Sequence, residues 1–176
     1  MIGPRMQETM NEQIKHETFS AYLYAAMSAY FHAEGLDGMA QWMKAQAQEE
    51  LGHALRFFNH INDRGGRVEL LAIDKPQAEW SSPLAAFEAA LEHEKFITGK
   101  IDDLAKLADE ENDRAAGIML QWFVTEQVEE EDSVSKVIDM LRLVGEKGPG
   151  LLMADRDLAQ RAAPPFPPTY MFGGEE

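Results

Sequence analysis

Four helix-length stretches of this chain carry apolar residues at alternating four- and three-residue spacing, and each seam is broken near its middle by polar groups. The first reads Met10, Ile14, Glu17, Ala21, Tyr24, Ser28, Phe31; the second Met39, Met43, Gln46, Glu50, His53, Phe57. The third reads Leu84, Phe87, Leu91, Glu94, Thr98, Ile101, Ala105, Ala108. The fourth reads Ala116, Leu120, Phe123, Gln127, Glu130, Val134, Val137, Leu141, Val144. Positions at this spacing face the interior of a helix bundle. Packed side by side, the four helices bring Glu17, Glu50, His53, Glu94, Gln127 and Glu130 to one depth. A buried carboxylate without a partner costs several kcal/mol, and none of the seams contains a Lys or Arg. Four acids at one depth call for a cation among them; the competing reading is a purely structural bundle with a buried polar network.

Punctuation sets the helix ends. The first helix runs from about Arg5 to Ala33, stopped by Gly35. Asp37 can cap a second helix that continues to about Arg64, before Gly65-Gly66. Ser82-Pro83 starts a third, reaching about Glu110. Asn112 or Asp113 can cap a fourth, ending near Val144. The short turns make first and second, and third and fourth, antiparallel pairs. Between the pairs lies a stretch from Arg67 to Ser81 with Pro76 and no helical period. Each helix is roughly 40–45 Å long, and a connection of about seventeen residues spans up to about 56–60 Å. It can therefore run the whole bundle and start the third helix at the end where the second began. A short fifth helix is expected over Leu151–Arg161, giving an all-α domain over 1–161. Residues 162–176 form a tail in which Pro164, Pro165, Pro167 and Pro168 forbid helix. Phe166, Tyr170, Met171 and Phe172 give that tail anchors for packing on its own or a neighbouring subunit.

The site residues have a chemistry. Glu50 and His53 are three apart and share a helix face. Di-iron carboxylate bundles use one Glu from each of two helices and Glu-x-x-His from each of the other two. Glu17 and Glu94 supply the single acids here and Glu50-x-x-His53 one pair, but the fourth helix has Gln127-x-x-Glu130. The charge of four carboxylates balances two Fe²⁺, and oxygen ligands with one imidazole suit iron rather than copper(I). With His53 on one side only, the second metal has mostly carboxylate ligands, which suits substrate iron in passage. Glu49, Glu126 and Glu129 flank the pair and offer a third ion position or an exit path; the alternative is a solvated acidic face. Tyr24 is either a core aromatic or a group that hydrogen-bonds a ligand or supplies an electron to oxygen chemistry, with Trp122 a weaker candidate. His16, His32, His60 and His93 lack acids in register and are read as surface or interface residues.

A chain of 176 residues without cysteine has no disulfide framework and no thiolate site. That composition fits the cytoplasm, and the polar start has no signal-peptide h-region. No apolar run approaches the ~18 residues of a membrane span. A net charge of −15 repels nucleic acid and favours cations as partners.

At these residues the chain resembles the bacterial non-haem ferritins, over about 5–161. The resemblance rests on Glu17, Glu49-Glu50-x-x-His53, Glu94, Glu126-Gln127-x-x-Glu129-Glu130, Tyr24 and the long crossover. It implies a ferritin-like four-helix bundle plus a fifth helix, assembled as a hollow twenty-four-subunit cage. Such proteins oxidise Fe²⁺ with O₂ or H₂O₂ at an intrasubunit di-iron ferroxidase centre and store ferric mineral. Carried onto this chain, Glu17, Glu50 and His53 hold the first iron, and Glu94 and Glu130 the second. Glu50 and Glu94 bridge, and Gln127 lies near the oxygen-binding side. Glu49, Glu126, Glu129 and Glu130 match the family's third iron site. Bacterioferritins ligate haem through a methionine where this chain has Gly52, so haem is not expected. Animal ferritins line threefold pores with acids at positions corresponding to Gly117 and Leu120, which puts that entry route in doubt. Two other di-iron or ferritin-like classes fit less well. A rubrerythrin-type peroxidase would carry two Glu-x-x-His motifs and often a Cys-rich segment, and mini-ferritins place iron between subunits.

Overall fold

The computed structural model describes residues 1–145 and 147–164; Phe166, Tyr170, Met171 and Phe172 of the tail lie outside the described residues. Five helices follow in order: α1 Pro4–Ala33, α2 Asp37–Asp63, α3 Pro83–Glu110, α4 Arg114–Val144 and α5 Pro149–Leu158. No strand occurs among the described residues.

The helix ends follow local chemistry. At the end of α1, Gly35 takes φ +75, the amide of Leu36 donates to Phe31 O (2.9 Å), and that of Gly35 donates to His32 O (3.2 Å). This pair of bonds satisfies carbonyls the helix would leave open. At the α3–α4 turn the left-handed position goes to Asn112 (φ 54), while Asp113 caps α4 by accepting from the Ala116 amide (3.1 Å). Ser82 caps α3 through the Ala85 amide (3.1 Å), with Pro83 in the first turn. Asp37 does not cap α2: Leu36 occupies that position, and Asp37 pairs with His32 Nδ1 at 2.8 Å. The missing acceptor comes from α5, whose Asp155 Oδ1 accepts from the Met39 amide at 2.8 Å. α5 begins at Pro149, earlier than Leu151, because Pro suits the first helical turn. It ends at Leu158, so Arg161 lies beyond the helix.

Two apolar clusters reveal the topology. One joins Leu23–Phe31 of α1, Leu36–Met43 around the start of α2, Ala86–Ala90 of α3 and Val134–Leu141 of α4, with Ala154 and Leu158 of α5. The other joins Met6–Ile14, Phe57 and Ile61, Ile97–Ala108, and Ala116–Phe123. The start of α2 and the start of α3 thus share one end of the bundle. The crossover must run its length, and the hydrogen bonds trace the route along α1. Gln7 Oε1 accepts from the Arg67 amide (2.9 Å), and Asn11 Oδ1 from the Glu69 amide (3.1 Å). Further on, Trp80 packs edge-on against Tyr30, with ring centroids 5.4 Å apart. On α3 the buried face is wider than the seam: Ala86, Ala90, Ile97 and Leu104 are buried while Leu84, Leu91, Thr98 and Ala105 are half-buried. A globular bundle covers a broader stripe than a strict heptad. Leu120 also belongs to the core (1% exposed), so it lines no surface channel within the chain.

Gly38 is where α5 touches α2: a Cβ there would lie 1.7 Å from the Asp155 carbonyl oxygen and 2.6 Å from its carbon. Backbone cannot yield as a side-chain tip does. Gly38→Ala is expected to lower stability by about 2 kcal/mol through overpacking, and Asp155→Ala by about 1 kcal/mol through the lost cap. Thermal unfolding checks both, and wild-type behaviour of Gly38→Ala would contradict this docking of α5.

Candidate metal centre

Between the two apolar clusters lies a polar layer. Glu17 is fully buried, and Glu50, His53, Glu94, Gln127 and Glu130 are each no more than 4% exposed. No Lys or Arg is buried among the described residues. Heptad-like spacing on four rigid helices fixes the level of each acid, because neighbouring turns above and below are locked into the apolar clusters.

Three acids are held from behind by neutral donors. Gln13 Nε2 donates to Glu17 Oε1 at 2.7 Å, one helical turn away. Gln46 Nε2 donates to Glu130 Oε2 at 2.7 Å across α2 and α4. Gln127 Nε2 donates to Glu94 Oε2 at 3.2 Å, and the Tyr24 hydroxyl donates to Glu94 Oε1. Thr98 Oγ1 lies 3.3 Å from the same Gln127 amide and itself donates to Glu131 at 2.6 Å. Glu94 is thereby met on both oxygens, whereas Glu17 Oε2 and Glu50 Oε1 are buried and meet no donor. Orphaned buried oxygens of this kind need an explanation, and a bound cation supplies one.

His53 stands between two acid groups. Its Nδ1 lies 3.3 Å from Glu50 Oε2 and 3.9 Å from Glu17 Oε2, and its Nε2 lies 4.0 Å from Glu126 Oε1. Glu17, Glu50 and His53 can converge on one ion, and so can His53, Glu126 and Glu130. The ring packs against Trp122 and Phe123 at 5.5 and 5.7 Å, which limits its rotation.

The electrostatics match a layer short of positive charge. Burial, and then the Glu50 charge, pushes Glu17 up to about 8. Burial, Glu94 and Glu49 push Glu130 up to about 7. Burial raises Glu94 as well, and lifts Glu50 well above the carboxylate range. Protons take the place of a counter-charge, so a divalent ion entering here exchanges with protons. Burial together with the Glu94 charge lifts the Tyr24 hydroxyl well above its usual range, which keeps it a donor.

The flanking acids are less uniform. Glu126 is half-buried and raised by burial, Glu129 is exposed, and Glu49 turns to Arg161 Nη2 at 2.7 Å. Trp122 lies under the Arg56 guanidinium at 3.7 Å. His93 is half-buried, with Nε2 2.7 Å from Ser20 Oγ, and burial drops it to about 4. The sequence reading missed Gln13, Thr98 and Glu131 as supports. Gln13 carried a signal, lying four residues before Glu17, whereas nothing local links Arg161 to Glu49.

Comparison with known proteins agrees with this architecture. Residues 7–144 match the ferritin-like domain. A bacterial non-heme ferritin of Bacteroides fragilis is 40% identical over 161 residues, covering 92% of this chain and all of the relative. One of Escherichia coli is 38% identical over 159 residues, covering 90% and 96% of the two chains. Among solved structures, an open pore ferritin from Archaeoglobus fulgidus superposes with a TM-score of 0.90 at 47% identity, over 92% of this chain and 99% of that one. With its bundle, crossover and buried layer of glutamates and histidine, this chain belongs to the ferritin family.

Proposed function

We propose that this protein is an iron store with ferroxidase activity, oxidising Fe²⁺ at a di-iron centre within each subunit. The observation that carries this reading is the buried layer that holds Glu17, Glu50, His53, Glu94 and Glu130, in which Glu17, Glu50 and His53 can converge on one ion and Glu17 Oε2 and Glu50 Oε1 meet no protein donor. Glu17, Glu50 and His53 hold one Fe²⁺; Glu94 and Glu130 hold the second, with Glu50 and Glu94 shared between them. Gln127 borders the position left for the oxidant, and Glu49, Glu126 and Glu129 form a third ion position.

Iron is the substrate of this reaction. Two Fe²⁺ held together give up two electrons at once, which reduces O₂ to H₂O₂ with two protons, or H₂O₂ to two waters with two protons. Carboxylates favour Fe³⁺ over Fe²⁺ because hard anionic oxygens suit the higher charge. The rear donors Gln13, Gln46, Gln127 and Tyr24 hold the acids in place, so little reorganisation is needed as charge changes. Ferric product then leaves for mineral.

The surface supports storage in a cage. Leu70 and Ile73 on the crossover, Ile118 and Val128 on α4, and Leu152 and Met153 on α5 are exposed. Apolar side chains on several faces suit a subunit with several neighbours. The assembly we propose is the twenty-four-subunit cage. The composition without cysteine fits a cytoplasmic store, and among the described residues no helix is long and apolar enough to cross a membrane.

Glu50→Ala and Glu94→Ala each remove a shared ligand. Both are expected to abolish the rapid phase when Fe²⁺-loaded protein meets O₂ in stopped flow, a loss of at least about a hundredfold given the 10- to 100-fold effect of even supporting residues. Unchanged rapid oxidation in both variants would remove the assignment. Native mass measurement is expected to return a particle of about twenty-four subunits; a stable dimer would contradict the cage and favour a non-cage peroxidase of rubrerythrin type.

A further inference from the structure

Past α5 the chain turns over α2, and Arg161 arrives beside the flanking acids. Its Nη2 donates to Glu49 Oε2 at 2.7 Å, and the two side chains are only 21% and 28% exposed. Its guanidinium carbon lies 4.3 Å from the centre of the Trp42 ring, a residue of α2 that is 4% exposed. Nη1 is buried without a hydrogen-bond partner. A guanidinium stacked on a buried indole and tied to a carboxylate is a fixed charge, not a mobile surface one. On its other side Glu49 directly precedes Glu50 on α2, next to the group in which His53, Glu126 and Glu130 can converge on one ion, and its charge helps to push Glu126 and Glu130 up.

We propose that Arg161 is a positioning residue for the third ion position: it turns Glu49 toward α5 and sets a tethered positive charge against an ion held by Glu49, Glu126 and Glu129. An Fe²⁺ at this place competes with the guanidinium for Glu49 and is repelled by it. The third ion is therefore held more weakly than the other two, as suits passage rather than residence. The inference rests on the iron reading above and adds a control that comes from the end of the chain, far in sequence from any ligand.

Calorimetric titration of the full-length protein with Co²⁺ alone tests it, since Co²⁺ binds oxygen and imidazole ligands without being oxidised by air under these conditions. Arg161→Gln is expected to tighten the third Co²⁺ by about fivefold or more, the low end of measured couplings between sites. Arg161→Lys keeps the charge and is expected to stay near wild type. Adding Glu49→Gln to Arg161→Gln is expected to erase the gain. A third Co²⁺ that binds equally in wild type and Arg161→Gln, with only a lower unfolding temperature, would reduce Arg161 to a fastener of α5 and overturn the proposal. Weaker binding in Arg161→Gln would overturn it too, by making Arg161 a helper of the site. The first two equivalents report separately on the di-iron centre: if they fail to bind in every protein, the iron reading falls and this inference with it. If they bind and the third is insensitive, this inference alone falls.

Discussion

The constraint on which the rest depends is the burial of four carboxylates in one layer with a single imidazole for company. Left to themselves such groups oppose folding, since desolvating each costs several kcal/mol. The fold tolerates them because apolar clusters above and below clamp all four helices. Neutral amides and a phenol each satisfy one oxygen from behind. Glu17 Oε2 and Glu50 Oε1 remain buried without a donor. The arrangement is rigid at the back and electron-rich at the front, which is what a site for divalent ions needs.

Topology serves the same end. The crossover makes α2 and α3 parallel, placing Glu50 and Glu94 at one level from helices that each point away from the same end. It is held to α1 by Gln7 and Asn11 at one end and by Trp80 against Tyr30 further along. α5 is tied into the bundle through its C-terminal half and the residues that follow it. Asp155 completes the start of α2, and Arg161, just past its close, meets Glu49 on the same helix. The C-terminal part of the chain is thereby connected to the flank of the candidate metal centre.

Much of this was legible in the sequence. Heptad-like spacing exposed the four helices, and the polar interruptions at Glu17, Glu50, His53, Glu94, Gln127 and Glu130 stood out because buried acids are costly. Glycine, proline and serine punctuation placed most helix ends. The misses at Asp37 and Arg161 share a cause, which is action at a distance along the chain. Asp37 looked like a cap until Asp155 of α5 took that role, and Arg161 gave no hint of Glu49. On α3 the strict heptad pointed to Leu84 and Leu91, whereas the buried stripe is broader and favours Ala86, Ala90 and Leu104.

The most direct test of the central claim is anomalous diffraction at the iron edge from crystals soaked anaerobically in Fe²⁺. The account predicts two adjacent peaks within each subunit, one beside Glu17, Glu50 and His53 and the other beside Glu94 and Glu130, with any third peak near Glu49 and Glu126 weaker. Iron confined to the exposed acids, with the buried layer unchanged and free of metal, would contradict it.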